Sequence, residues 1–243
     1  MKNTRKLIPA VVMLLISAVL MSTASFAWFS MNKEVTATGM SVTATTPASL
    51  EIATDPASDW SYGVTLSKDV ELLNPITRHT DGKWYVPASD NTIGTDGKAK
   101  YALTNENLAH WTEVVIDYST GKIKDGATQY ALTQDLYIRT NAGNAGGADT
   151  AMEFKASATV SGTSTLLKSV KVYLVVDETV TALNSTPTGD WTAPLSSSGT
   201  GNYIKVTVVV VYDGEALDGA DAVVKNDNAD LVKTAVSVVF TAN

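Results

Sequence analysis

Side chains in the second half of this chain alternate between apolar and polar with a period of two residues. Between Ala151 and Ser161, one face carries Met152, Phe154, Ala156, Ala158 and Val160, and the other carries Glu153, Lys155, Ser157, Thr159 and Ser161. That pattern is typical of an antiparallel strand with one buried and one solvated face. Similar alternation occurs in Lys168 to Asp177, Tyr203 to Tyr212 and Thr234 to Phe240. Helical periodicity is nearly absent, so the chain is predicted to be all-β.

Many short strands separated by turns and long loops predict an antiparallel β-sandwich of jelly-roll type with one or two short helices. Earlier strands are predicted at Glu34 to Thr45 and at Ala48 to Ala53, and a short helix at Ala102 to His110, capped by Thr104 or Asn105. Residues 28–243 are predicted to form a single domain, because the late strands are too few to close a sheet without the early ones. The turn-rich range 55–110 is interpreted as an insertion.

The N-terminus has the order of segments that defines a secretory signal peptide, predicted over residues 1–27. Three basic residues precede an apolar run from Leu7 to Met21, and small residues end the segment at Ala27. Cleavage is predicted between Ala27 and Trp28, since signal peptidases need small side chains at the first and third positions before the cut. An uncleaved membrane anchor is the alternative on length alone. We therefore expect a secreted protein that meets the membrane only before cleavage.

Charge and cysteine content restrict the partners. The chain has 18 basic and 25 acidic residues, a net charge of −7, and loss of the three basic residues of the leader leaves 15 against 25, or −10. This balance argues against nucleic acid and anionic lipid as partners. The sequence contains no cysteine, so no disulfide or lipid-bearing cysteine is available. Stability must then come from a packed core.

The sequence offers few groups at the spacings that catalysis requires. Its two histidines, His79 and His110, form no HExxH pair and are interpreted as surface or capping residues. No nucleophile elbow or phosphate-binding glycine loop is present. The chain is therefore predicted not to be an enzyme. A hydrolase with paired carboxylates is the third functional hypothesis. It requires two carboxylates at a particular distance from each other, and the sequence alone does not show such a distance.

An acidic loop is the best sequence candidate for an ion site. Calcium prefers six to eight oxygen ligands, and four carboxylates cluster in this loop, at Asp213, Glu215, Asp218 and Asp221. Their spacing does not match an EF-hand, and a solvated acidic loop is the favoured interpretation. No other cofactor is predicted.

Tryptophans suggest a carbohydrate-binding alternative. Four of them lie near loops or strand ends, where the aromatic platforms of glycan-binding modules occur: Trp60, Trp84, Trp111 and Trp191. A large sandwich also needs bulky side chains to close its ends, and that interpretation is favoured. A secreted glycan- or surface-binding module, with a matrix polysaccharide as partner, is accordingly the second functional hypothesis.

Several segments resemble one family of exported proteins. The junction Thr23 to Ser30 and the strand Val35 to Val42 resemble the leader and first strand of the TasA/camelysin family. Three later segments are similar to other elements of that family: Asp135 to Arg139, Val170 to Leu174 and Val211 to Glu215. The resemblance does not extend to the range between 55 and 110.

The resemblance implies a jelly-roll subunit of extracellular fibres in the biofilm matrix of a Gram-positive bacterium, processed by a dedicated ER-type signal peptidase. In such fibres the N-terminal segment freed by cleavage can fill a sheet of the neighbouring subunit, and the residues expected in that contact are Trp28, Phe29, Val35, Gly39, Met40 and Val42. Head-to-tail strand addition does not close, so it predicts a homopolymer. Pairing of residues 34–45 inside their own subunit, which leaves a monomer, is the open alternative. The metalloprotease activity attributed to camelysins is not carried over, because no motif for it is present.

Overall fold

The computed structural model describes residues 40–46, 50–57, 59–68, 73–91, 99–124, 126–140, 151–162, 165–195, 202–215 and 234–242. The predicted signal peptide and its cleavage site at Ala27 and Trp28 lie outside these residues. The described strands are β1 (Met40–Thr45), β2 (Leu50–Ala53), β3 (Gly63–Lys68), β4 (Thr77–Arg78), β5 (Trp84–Pro87), β6 (Trp111–Val114), β7 (Ile116–Asp117), β8 (Lys122–Ile123), β9 (Ala131–Thr140), β10 (Met152–Gly162), β11 (Val170–Val176), β12 (Thr179–Leu183), β13 (Thr188–Ala193), β14 (Ile204–Tyr212) and β15 (Thr234–Ala242).

Helix is confined to two short 3-10 segments in the described ranges, Leu108–His110 and Thr165–Lys168. The helix predicted over Ala102 to His110 is therefore wrong except for its last three residues. The amide side chain of Asn107 donates to the carbonyl oxygen of Ala102 at 3.2 Å, which stabilises a series of turns in place of a regular helix. No helix in the described part of the chain has the length and apolar character that a bilayer crossing requires.

Two five-stranded sheets make up most of the structure. Sheet I has the strand order β13-β10-β15-β1-β3, and sheet II has the order β12-β11-β14-β9-β2. The pairs within both sheets are antiparallel apart from β1 and β15, which run parallel. One cluster of buried side chains draws on both sheets. The prediction of an all-β, sandwich-like fold is confirmed at this level.

Alternation along each strand builds the core between the two sheets. Phe154 of β10 and Phe240 of β15 are fully buried, with ring centroids 5.9 Å apart in an edge contact. Sheet II contributes fully buried aliphatic side chains to the same cluster, among them Leu50, Ile52, Leu136, Ile138, Leu174, Val206 and Val208. The face of β10 predicted to be apolar is the one found inside: Phe154, Ala156 and Ala158 are buried, and Met152 and Val160 pack against the same cluster.

A third layer covers part of the outer face of sheet II. This cap sheet consists of β4, β5 and β6 and is followed by the two-stranded hairpin β7-β8. Trp84 of the cap sheet is 4% exposed and makes an edge contact with Tyr173 of β11, with ring centroids 5.1 Å apart. Val209 and Val211 of β14 are buried in the same cluster. The cap sheet thus explains why β14 is apolar on both faces.

The interface between the cap sheet and sheet II contains a charged side chain. The guanidinium carbon of Arg78 lies 5.9 Å from the ring centroids of both Trp84 and Tyr173, a geometry in which a cation is attracted to aromatic faces. Burial raises the pKa of Tyr173 to about 12, and the nearby Asp213 carboxylate adds to the rise.

The range interpreted as an insertion is divided between two layers. Its strand β3 pairs with β1 at the end of sheet I, whereas β4 and β5 belong to the cap sheet. The cap sheet is completed by β6, which begins at Trp111 just beyond that range. These residues therefore support both the sandwich and its outer layer.

Candidate assembly site

The described strand nearest the N-terminus lies inside sheet I, with neighbours on both sides. β1 pairs in parallel with β15, in a register that places Thr43 opposite Ser237. On its other side β1 pairs antiparallel with β3, and Thr43 faces Thr65. Both backbone edges of β1 are therefore occupied by strands of its own subunit.

Alternate side chains of β1 contribute to the core. Among those that the structure describes, Val42 and Ala44 are buried, at 2% and 0% exposure, while Thr43 and Thr45 are only partly buried. Burial of a valine side chain contributes about 1.5–3 kcal/mol, and alanine contributes less. β1 is therefore held both by backbone pairing with two neighbours and by burial of Val42 and Ala44 in the core.

The predicted assembly residues fall on both sides of the boundary at residue 40. Met40 begins β1, and Val42 packs in the core of its own subunit. Of the two alternatives for residues 34–45, pairing within the subunit describes the 40–45 portion. Trp28, Phe29, Val35 and Gly39 lie outside the described residues.

Within the described residues, the strands at the ends of each main sheet have a strand partner on one side only. Sheet I ends at β13 and β3, and sheet II ends at β12 and β2. The β2 edge is partly covered, since Ile52 and Ser61 exchange backbone hydrogen bonds of 2.8 and 3.0 Å. For β3, β1 is the one strand partner within the described ranges.

The acidic residues predicted as calcium ligands connect the end of β14 to other parts of the chain. The Asp213 carboxylate accepts a hydrogen bond from the Thr77 hydroxyl at 2.9 Å, and the Glu215 carboxylate accepts one from the Leu103 backbone N–H at 3.0 Å. No group of three or more metal-ligating side chains exists within the described residues, whereas Asp218 and Asp221 lie outside them. Calcium binding at this loop stays a prediction.

Both histidines lie beside aspartates in the region of the cap sheet. Nδ1 of His110 is 2.6 Å from the Asp90 carboxylate, and the His110 ring stacks on Tyr101 with centroids 3.8 Å apart. Nδ1 of His79 is 3.3 Å from the Asp81 carboxylate. The His79 side chain is 7% exposed and the His110 side chain 31%, so His79 is more buried than the surface residue that the sequence predicted.

Hydrogen bonds lower the pKa values of both aspartates. The largest cause is the backbone N–H of Lys83 for Asp81, and the His110 side chain for Asp90, to which the Lys100 charge adds. A carboxyl with a lowered folded-state pKa stabilises the fold above its ordinary value and loses that contribution as pH falls through the lowered one.

We therefore expect the cap sheet to loosen as pH falls below 3.8, the ordinary aspartate pKa. Hydrogen exchange of the Trp84 and Trp111 amides, followed through this range, measures the effect. Asp90→Asn should flatten the pH dependence at Trp111, because it removes one carboxyl whose pKa the fold lowers. An unchanged profile in that variant would rule out Asp90 as a contributor.

None of the four tryptophans considered as carbohydrate platforms is fully exposed in the structure. Trp84 and Trp111 are buried, at 4% and 7% exposure. Trp191 is partly buried and packs on the core ring of Phe154, with centroids 5.6 Å apart. Trp60 is half-buried and lies on the outer side of sheet II beside Arg139.

Comparison with known proteins yields no match for this chain: no family model, curated protein or solved structure is significantly similar to it.

Proposed function

We propose that this protein is a secreted, non-enzymatic structural subunit of extracellular fibres or of a biofilm matrix, with a jelly-roll sandwich as its folded body. One observation carries the proposal. The described strand nearest the N-terminus, β1, is inserted between β15 and β3 and pairs with both through its backbone. The leader-like N-terminus and the resemblance of residues 23–42 to the TasA/camelysin family support export and assembly.

Strand exchange is the assembly mechanism that this topology favours. If β1 of one copy takes the β1 position of the next, every backbone hydrogen bond and core contact that it makes within its own subunit is formed again between copies. Exchange of an identical element is a low-cost route to association for that reason. Residues 28–39, including Trp28 and Phe29, connect the exchanged strand to the cleavage site and add contacts in the neighbour.

The direction of exchange determines the shape of the product. Each subunit offers one donor strand and one position that accepts a strand, so the contact is head-to-tail. Such a contact gives filaments when the rotation between successive copies does not close a ring. Cleavage of the leader must precede this step, because an attached membrane segment holds the N-terminus away from other copies.

The experiment is electron microscopy of the secreted form, beginning at Trp28, across a concentration series. We expect filaments from this protein and none from a Thr43→Pro variant, since proline in the middle of β1 removes a backbone donor and clashes within the ladder. Deletion of residues 28–33, which leaves β1 intact, should weaken assembly without unfolding the sandwich. Val115→Ser, at an exposed apolar position 58% open to solvent, is the matched control.

Circular dichroism separates failure to assemble from failure to fold. A folded Thr43→Pro monomer beside wild-type filaments supports the proposal. Wild-type protein that stays monomeric at every concentration contradicts it.

A further inference from the structure

The outer face of sheet II has two halves of different character. The cap sheet packs on one half, around Tyr173, Val209 and Val211. The other half consists of outward-facing residues at the neighbouring ends of β2, β9 and β14, which the register of these strands brings side by side. Its aromatic residues Trp60, Tyr137 and Tyr203 are all partly exposed.

These three rings form one continuous cluster, here called the aromatic corner. Tyr137 and Tyr203 meet at a centroid distance of 5.1 Å and an interplanar angle of 86°, so that one ring stands upright beside the other. Tyr203 and Trp60 are 6.2 Å apart and inclined by 39°. The corner therefore presents two gently inclined rings and a perpendicular one.

Charged side chains around the corner are arranged in neutral pairs. Arg139 binds the Glu51 carboxylate through Nε and a terminal nitrogen, both at 2.8 Å, and its guanidinium lies 3.9 Å from the centroid of Trp60. Lys205 is 2.8 Å from the Asp135 carboxylate, which also accepts a hydrogen bond from Thr207 at 2.6 Å. The patch thus has no net charge on a chain whose overall charge is −7.

The paired charges also fix the geometry of the corner. An arginine that is bonded to a carboxylate through two nitrogens has a defined plane, and here that plane lies against Trp60. Tyr137 and Arg139 are two residues apart on β9 and share its outer face. The rings are therefore held in place before any ligand arrives, which lowers the cost of binding.

From this arrangement we infer that the aromatic corner is a binding site for a neutral polysaccharide. Sugar rings carry C–H groups on their faces and hydroxyls at their edges. The C–H groups pack against the electron-rich faces of aromatic rings, while the hydroxyls accept hydrogen bonds from guanidinium N–H groups of Arg139. A neutral patch provides no attraction for a polyanion, and the acidic remainder of the chain repels one.

The site goes beyond a role as fibre subunit, because it does not involve β1 and would give the subunit an affinity for a second matrix component. It also differs from the tryptophan platforms considered from sequence. Two of its three rings are tyrosines, and Trp60 is the single tryptophan in it.

Binding of defined neutral glycans tests the inference. The probes are insoluble cellulose and chitin in a pull-down, with cellohexaose and chitohexaose in calorimetry, and polygalacturonate as the anionic comparison. We expect retention on at least one neutral polymer. Tyr203→Ala and Tyr137→Ala should each weaken binding about tenfold, because each removes a ring contact.

Two controls separate loss of the site from loss of the fold. Tyr137→Phe keeps the ring and should bind as the wild type does, and Val115→Ser changes an exposed apolar residue outside the corner. The binding measurements use the monomeric form at concentrations below assembly, and filament formation of the same variants is followed separately by electron microscopy.

Three outcomes would overturn the inference. They are no retention on either neutral polymer, equal retention of the wild type and both alanine variants, and stronger binding to polygalacturonate than to the neutral probes. Loss of filaments in the alanine variants, without any glycan binding by the wild type, would instead identify the corner as a contact between copies.

Discussion

Phe240→Ala is expected to lower the free energy of unfolding by about 3–5 kcal/mol. The side chain is fully buried on β15 and packs on Phe154 between the two main sheets. Truncation removes apolar area from the core and leaves a cavity that the two sheets cannot collapse to fill. Against a typical total of about 5–15 kcal/mol, this is one of the largest losses that a single substitution can cause. Urea unfolding followed by tryptophan fluorescence measures it.

Val239→Ala is the matched control, because Val239 is the adjacent residue on β15 and is 37% exposed on the outer face of sheet I. We expect a change of no more than about 0.5 kcal/mol there. Equal losses at positions 239 and 240, or a loss below about 1 kcal/mol for Phe240→Ala, would mean that the two sheets do not share this core.

Alternation in the sequence predicted which faces of the strands are buried. In β10, Phe154 and Ala156 are fully buried, and Glu153 and Ser161 are exposed, as the period of two requires. Local pattern is sufficient there because one face meets the core and the other meets water. The apolar outward positions Val209 and Val211 were visible in the sequence as well. Their cause, a third layer built from residues far away in the chain, was not.

Strand order and register were beyond what the sequence could predict. The parallel pairing of β1 with β15 joins the two ends of the described chain, and no local signal in either segment specifies the other. The aromatic corner was missed for the same reason. Tyr137 and Tyr203 become neighbours only through the β9–β14 register, which places Tyr137 opposite Lys205.

The tryptophan interpretation shows a different limit of sequence reasoning. The position of a tryptophan near a loop in the sequence does not show whether its ring is exposed or is buried at an end of the sandwich. Trp84 and Trp111 are both buried within the cap sheet, whereas Trp60 stays partly exposed beside Arg139. Exposure depends on which layer covers the residue, and that is a property of the tertiary structure.

The proposed exchange also depends on tertiary structure, since β1 pairs within its own subunit in the single chain. Because β1 is paired within its own subunit, exchange can build a polymer only if β1 leaves that position after export. Filament formation should therefore be slow at first, because β1 must be released from two neighbours before it can pair with another copy. A covalent link between β1 and its own subunit should prevent filament formation.

A Thr43→Cys, Ser237→Cys double variant provides that link. The two positions are opposite each other across β1 and β15, and both are partly exposed. Adjacent strands are about 4.7–4.9 Å apart, within the Cα separations that a disulfide spans, and a short bis-maleimide bridges the same pair. The natural chain has no cysteine, so any cross-link reports these two residues alone.

The most direct test of strand exchange is the chain connectivity of this cross-link before and after assembly. Oxidation of the monomer should produce an internal bond and abolish filaments, while the reduced protein still assembles. Oxidation of finished filaments should instead join different chains and give a ladder of dimers and larger species on a non-reducing gel. Filaments that grow from the locked monomer, or that contain internal bonds only, would contradict the exchange of β1 between subunits.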